Sequence, residues 1–194
     1  MYSSDSPDRP SEILDAAAQL FASKGYSGTS IRDVAERVGM LSGSLYHHIK
    51  SKEDLFLQVH GRALARGRDR LGSAIRRQKD PLKKLEVACV TFCQILWDPN
   101  SAILAFTDDM SRMPATIRLD LFEQHRQFDE ILESIVAALP LEPTVDRGAF
   151  QRSLKASLTG TAPLRLTDGS SPSEQGKQIY QIFSQCVILS VRER

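Results

Sequence analysis

The 194-residue chain has few of the features that mark a secreted, membrane-spanning or metal-binding protein. It contains only three cysteines, Cys89, Cys93 and Cys186, and their spread lacks metal-ligand spacing. No apolar run approaches the roughly 20 residues that cross a bilayer, and the polar start MYSSDSPDRP lacks the apolar core of a signal peptide. We therefore expect a cytoplasmic protein without a membrane segment, whose cysteines are buried for packing rather than used as a redox sensor.

The residue sets used in catalysis are also missing. We find no nucleophile with a base, no metal set and no phosphate loop. Asp108 and Asp109 are adjacent, so they would point in different directions on a helix. His60 and His125 stand isolated in the sequence. The sequence therefore predicts neither an enzyme nor a cofactor or metal site.

Apolar residues recur at helical spacing through almost the whole chain, which predicts an all-α protein of about nine helices. Glycine, proline and capping residues place these helices at about 10–24, 31–38, 42–49, 52–78, 81–96, 101–111, 114–139, 145–166 and 172–191. The first eight residues are polar with almost nothing to bury, so we expect a disordered tail at 1–8.

One stretch, residues 29–56, reads TSIRDVAERVGMLSGSLYHHIKSKEDLF and predicts two short helices, a tight turn and the start of a long helix. Thr29 or Ser30 would cap the first helix, and Gly39 would permit the turn. Leu45 would bury the second helix, whose other side chains are mostly small or hydrogen-bonding. Such a helix suits a major groove about 12 Å wide. An ordinary helical hairpin with a polar outer face is the alternative interpretation.

Residues 13–56 resemble the DNA-binding module of the TetR family of bacterial transcriptional regulators. The resemblance extends along the whole length of that module without a gap. The resemblance implies a three-helix helix-turn-helix DNA-binding domain at 9–55. It also implies that a long helix joins this domain to a helical ligand-binding and dimerisation domain at 56–194. The segment LSGSLYHH is similar to that of family members that control acyl-CoA or steroid breakdown.

The resemblance also implies which residues contact double-stranded operator DNA. Phosphate contacts are expected from Thr29, Tyr46, His47 and Lys52, with Ser30 at the same helix start as Thr29. Residues placed where base edges can be read are Arg32, Ser42, Gly43 and Ser44.

The last two predicted helices carry more apolar residues than one internal face needs, which predicts a homodimer. The expected interface residues are Phe150, Leu154, Leu158, Ile179, Ile182, Phe183, Cys186 and Val187. The charge pattern supports a need for two copies, because residues 1–60 hold six Lys or Arg against eight Asp or Glu. A single copy should bind DNA poorly, and a twofold dimer suits a palindromic operator.

Residues 81–166 are rich in apolar and aromatic side chains, which suits a cavity for a small, largely apolar effector. The candidate pocket residues are Phe92, Leu96, Trp97, Leu104, Phe106, Met110, Met113, Phe122, Phe128 and Arg165. The resemblance implies that the effector moves the long connecting helix and releases the operator, and that repression is the usual mode. A helical adaptor that binds only protein would explain the amphipathic helices but not the polar outer face of residues 42–48.

Overall fold

The structure is a computed structural model that describes residues 9–98, 114–161 and 169–188, and within these ranges it is all-α. Its helices are α1 Arg9–Lys24, α2 Ile31–Arg37, α3 Ser42–Leu45, α4 Lys52–Arg76, α5 Pro81–Leu96, α6 Ala115–Ala137, α7 Arg147–Thr159 and α8 Pro172–Ser184. The predicted fold class is confirmed. The predicted helix at 101–111 lies outside the described residues. Over the described ranges, no helix is long and apolar enough to cross a membrane.

Capping residues start the helices where the sequence predicts them. Ser30, rather than Thr29, is the N-cap of α2. The Ser51 hydroxyl accepts a hydrogen bond from the backbone N–H of Asp54 at 3.1 Å and so caps α4. Asp80 caps α5, with Pro81 in its first turn.

Three predicted helices are too long. Residues 46–48 form a turn, so α3 ends at Leu45 instead of continuing to 49. The predicted helix at 145–166 ends at Thr159, and Gly160 and Thr161 form a turn. The helix predicted at 172–191 ends at Ser184, because buried Val187 forms a β-bridge with Leu141 and the chain is extended there.

The described residues divide into two compact units, and the first comprises residues 9–65 and 114–125. It contains α1, α2 and α3 with the first parts of α4 and α6, so it extends beyond the predicted domain at 9–55. Its fully buried side chains include Phe21, Leu45 and Phe56. Phe56 packs edge-on against the rings of Phe21 and Tyr26, with both pairs of centroids 5.0 Å apart.

A pair of histidines, one on α4 and one on α6, lies in contact between these two helices in the first unit. His60 is fully buried, and its Nε2 lies 3.1 Å from Nε2 of His125. The His60 ring also stacks on Phe56, with centroids 5.9 Å apart. The sequence interpretation of these histidines as isolated is therefore wrong. It failed because 65 residues separate them and only the packing of α4 on α6 brings them together.

The second unit comprises residues 66–98, 126–161 and 169–188. Here α8 crosses α5 closely at Gly176, where an added Cβ would lie 2.5 Å from Val90 Cα. The rings of Phe150 and Phe183 join α7 to α8, with centroids 5.1 Å apart and planes at 90°. This crossing fixes α8 against α5 in the second unit.

Replacing either of two glycines by alanine should change the free energy of unfolding, but in opposite directions. Gly176→Ala should lower the free energy of unfolding by about 1–3 kcal/mol, because its methyl group would overlap the α5 backbone. Gly72→Ala should raise it by up to ~1 kcal/mol, because only the flexible end of Arg76 lies near and alanine favours a helix. Urea denaturation of both variants tests this. A Gly176→Ala protein as stable as the parent would contradict the crossing.

Candidate nucleic-acid interface

The turn between α2 and α3 is held by backbone hydrogen bonds and by a positive φ. Gly39 has φ +66°, a conformation that side chains other than hydrogen rarely allow. The N–H of Met40 donates to the carbonyl of Ala35 at 2.8 Å, and the N–H of Gly39 donates to Glu36 at 3.2 Å. Ala35 and Leu45 are buried beneath the turn. The angle between α2 and α3 is thus fixed by these backbone hydrogen bonds and by the buried contacts of Ala35 and Leu45.

The outer side of α3 and of the turn after it carries the predicted contact residues. Gly43, Tyr46 and His47 are exposed, while Ser42 and Ser44 are half-buried. Arg32 on α2 is also exposed. Arg32, Gly43, Tyr46 and His47 of the predicted DNA-contacting set are therefore accessible along α2, α3 and the following turn, although α3 itself is only four residues long.

The sequence analysis missed Leu41, the residue just before α3. Its side chain is 80% exposed, more than any other large apolar side chain among the described residues. The available signal was a leucine at a position where a polar helix cap is usual.

Ser30 and Asp33 form a capping box at the start of α2. The Ser30 hydroxyl accepts from the backbone N–H of Asp33 at 3.1 Å, and the Asp33 carboxylate accepts from the N–H of Ser30 at 2.8 Å. Lys24 also donates to Asp33, at 3.2 Å. Hydrogen bonds from the hydroxyl and N–H of Ser30, with the lysine contact, lower the pKa of Asp33 to about 2. The carboxylate is thus ionised at neutral pH.

Thr29 occupies a different environment from the one expected for a phosphate contact. It is only 2% exposed, its hydroxyl donates to the carbonyl of Gly25 at 2.8 Å, and its N–H donates to the carbonyl of Tyr26 at 3.4 Å. This geometry favours a turn-stabilising role for Thr29 over the predicted phosphate contact.

Lys52 is held at the start of α4 by an aromatic ring. Its Nζ lies 4.2 Å from the ring centroid of Tyr26, a cation–π arrangement. The Tyr26 hydroxyl donates to the Glu53 carboxylate at 2.9 Å. Burial, then the hydrogen bond and negative charge of Glu53, raise the pKa of Tyr26 far above its usual value. The phenol therefore stays protonated and anchors both neighbours.

Most acids of this segment serve the fold. The carboxylates that bond within the first unit are Glu12 to Arg9, Asp15 to Arg62, Asp33 to Lys24, Glu53 to Tyr26, and Asp54 to the N–H of Lys50. The side chains of Arg32 and Lys50 are exposed. The excess of acidic residues in 1–60 is thus explained by carboxylates that cap helices or form ion pairs. It does not indicate a negatively charged outer face.

The described candidates for the effector pocket, except Phe122, lie in the packing of the second unit. In the second unit, Phe92 packs edge-on against Phe128 with centroids 5.4 Å apart, Leu96 is buried, and Trp97 Nε1 donates to Thr161 at 3.2 Å. Phe122, in the first unit, is 57% exposed. The remaining candidates, Leu104, Phe106, Met110, Met113 and Arg165, lie outside the described residues.

The second unit also has an open polar cleft of about 390 Å³. It is lined by Arg68, Arg126, Gln127, Glu130, Ile131 and Ser134. Its charged lining does not match the apolar pocket that the sequence predicts.

Most residues of the predicted dimer interface fill the core of the subunit. Six of them are buried in the single chain: Phe150, Leu154, Leu158, Ile179, Phe183 and Val187. Cys186 is half-buried, and Ile182 is 65% exposed on α8. The surface available for a partner at α8 therefore centres on Ile182 rather than on the whole set.

The cysteine thiols are suited to packing. Cys89 and Cys93 are fully buried on α5. Burial raises the pKa of Cys93 to about 11 and that of Cys89 higher still. Both thiols therefore remain protonated and poorly nucleophilic at neutral pH.

The all-helical fold with a helix-turn-helix near its start defines a class of DNA-binding regulators. Residues 13–59 match the family described as "Bacterial regulatory proteins, tetR family". The chain is 30% identical over 151 residues to the HTH-type transcriptional repressor KstR2 of Rhodococcus jostii, covering 77% of this chain and 72% of the relative. It is 28% identical over 185 residues to KstR2 of Mycolicibacterium smegmatis, covering 91% and 90%.

A solved structure shows the same fold over nearly the whole chain. The structure of AibR in complex with isovaleryl coenzyme A and operator DNA superposes with a TM-score of 0.76 and 19% identity, covering 92% of this chain and 98% of that one. The chain belongs to the TetR family of bacterial transcriptional regulators.

The capping box predicts how stability depends on pH. The lowered pKa of Asp33 means that its contribution is present above the ordinary value of 3.8 and is lost as the pH falls toward about 2. Asp33→Asn should lower the melting temperature at pH 6, and this difference should shrink between about pH 4 and pH 2. Thermal unfolding across pH tests this, with Glu36→Gln on the same helix as control. A difference that is constant with pH would contradict it.

Proposed function

We propose that the protein is a ligand-responsive repressor that binds a palindromic operator as a homodimer and is released by a small, largely apolar effector. The observation that carries the proposal is the helix-turn-helix, whose outer side presents small, polar and cationic groups while its inner side is buried. The KstR2 relatives from Mycolicibacterium smegmatis and Rhodococcus jostii are named repressors, which favours repression over activation. Since bacterial operators lie in the cytoplasm, the protein acts there.

In this proposal, sequence is read at α3 and affinity comes from flanking phosphate contacts. Ser42 and Ser44 face base edges, with Arg32 reaching from α2. The exposed Tyr46 and His47, in the turn after α3, hold phosphates, and Lys52 at the start of α4 holds another. Ser30 lies at the exposed start of α2 and approaches the sugar-phosphate backbone of the DNA there.

A second copy supplies the affinity that one module lacks. Doubling the phosphate contacts doubles the number of released counterions, and binding strengthens accordingly. The exposed Ile182 on α8 supports a contact between subunits at the last helix. Twofold symmetry then places the two copies of α3 at half-sites one or more helical turns apart.

The effector is proposed to bind the helices of residues 81–166. The aromatic packing of Phe92 with Phe128 and the apolar residues of α5 support an apolar ligand. AibR has been solved with a coenzyme A thioester, and the α3 segment is similar to those of regulators of acyl-CoA or steroid breakdown. Acyl-CoAs and steroids are therefore the first effectors to test.

The first prediction of this proposal concerns the salt dependence of DNA binding. The protein should shift the promoter beside its own gene in the presence of competitor DNA. Its log affinity should fall linearly with log salt concentration. Lys52→Gln should reduce the slope by about 2 for a dimer, since one phosphate contact is lost per subunit. If the Tyr26 ring acts by holding Lys52, Tyr26→Leu should reduce the slope by less than Lys52→Gln does. The double variant should then have the same slope as Lys52→Gln alone.

The control for this experiment is Lys79→Gln, which removes an exposed charge outside the helix-turn-helix. It should leave the slope unchanged. Absence of a competitor-resistant shift at moderate salt would overturn the repressor proposal and favour a helical adaptor that binds only protein.

The second prediction concerns the effector. Among acyl-CoAs, steroids and aromatic acids, one class should raise the melting temperature by mass action, since ligand at 100 times its Kd stabilises by about 2.7 kcal/mol. The same compound should weaken operator binding by about 5- to 150-fold, the usual range of allosteric coupling. Free coenzyme A is the control for the thioesters. A compound that stabilises the protein without changing operator affinity is not the effector.

A further inference from the structure

Leu41 lies in an unusual position for a leucine. It is the last residue of the turn between α2 and α3, and its side chain is 80% exposed. The flanking backbone is well fixed, because its carbonyl accepts hydrogen bonds from Ser44 at 2.9 Å and from Leu45 at 3.2 Å. The main chain of the exposed leucine is therefore held against the first turn of α3.

Leu41 also stands where a helix usually begins with a capping side chain. Leu41 is the N-cap of α3 and makes no side-chain hydrogen bond to the helix. Other helices of the described chain begin with a capping side chain: Ser30 at α2, Asp80 at α5, Asp146 at α7 and Ser171 at α8. A leucine in this position thus satisfies neither the rule for caps nor the rule for apolar burial.

Gly43, two residues further on, breaks a third local rule. It is an exposed residue inside α3, where glycine is a poor helix former. An added Cβ would meet no atom within 4 Å, so nothing within the chain requires glycine here. Violations of local rules that the fold does not explain cluster at functional sites.

We infer that Leu41 is a specificity-determining residue that packs against the C5-methyl group of a thymine in each operator half-site. This inference rests on the proposed DNA-binding function. In that function the start of α3 contacts base edges, and thymine alone among the four bases presents a methyl group in the major groove. Gly43 leaves space for the close approach of the base pair beside it.

The inference explains how α3 specifies a sequence. Serine hydroxyls at 42 and 44 hydrogen-bond to several bases and discriminate weakly. An apolar contact to a methyl group separates thymine from cytosine. Leu41 therefore supplies discrimination that the serines lack.

Uracil substitution gives a direct test, because uracil differs from thymine only by that methyl group. Full-length protein would first select its half-site from a random duplex library, and each selected thymine would then be replaced by uracil in both half-sites. At one thymine position, uracil should lower parent affinity about fourfold per half-site, as expected for one buried carbon. Leu41→Ser and Leu41→Ala should bind the thymine and uracil duplexes equally well.

The controls separate the possible outcomes. Leu41→Ser introduces a favoured cap, so its melting temperature should equal or exceed that of the parent and any loss of affinity is not a folding defect. Leu119→Ser removes another leucine, 69% exposed on α6, and should keep the uracil penalty. If no sequence is selected, the DNA-binding function itself fails. If a sequence is selected but no uracil weakens binding, or the penalty persists in Leu41→Ser, Leu41 does not read thymine.

Discussion

The burial of Phe56 is the constraint on which the first unit depends. Its ring, in the second turn of α4, touches Phe21, Tyr26 and His60 at centroid distances of 5.0, 5.0 and 5.9 Å. One side chain thus ties α1, the loop before α2 and the buried side of α4. Because α2 and α3 are only seven and four residues long, they are too short to be stable alone and depend on this packing. The orientation of the residues proposed to contact DNA follows from the same contacts.

Two helices, α4 and α6, run from the first unit into the second. The proposed mechanism needs an element that both the effector and the operator can bias. In the first unit these helices are joined by the His60–His125 hydrogen bond and by Gln124, whose amide lies 3.4 Å from the Leu57 carbonyl. A displacement of α4 alone would break both contacts. In the proposed mechanism α4 and α6 would therefore have to move together in the first unit, whereas the family resemblance implies movement of α4 only.

Sequence reasoning located most helices because caps and apolar spacing are local signals. Asp80 with Pro81, and Ser51 with Asp54, start helices for reasons that three or four residues decide. It failed where distant segments compete for the backbone, as at Val187, which pairs with Leu141 instead of extending α8. The same limit applies to burial. The apolar residues of α7 and α8 indicated an interface, but periodicity alone does not tell the core of a subunit from a surface between subunits. Leu41 was missed because its significance depends on its exposure.

The crossing at Gly176 has a mechanical consequence. With α8 in van der Waals contact with the α5 backbone, there is no compressible layer of side chains between the two helices at that point. The two helices are therefore held rigidly against each other there, and Ile182 lies less than two turns further along α8. A ligand that displaced α5 at this point would therefore displace α8 as well. If the proposed dimer forms at α8, an effector that moved α5 would then also change how the two subunits are placed relative to each other.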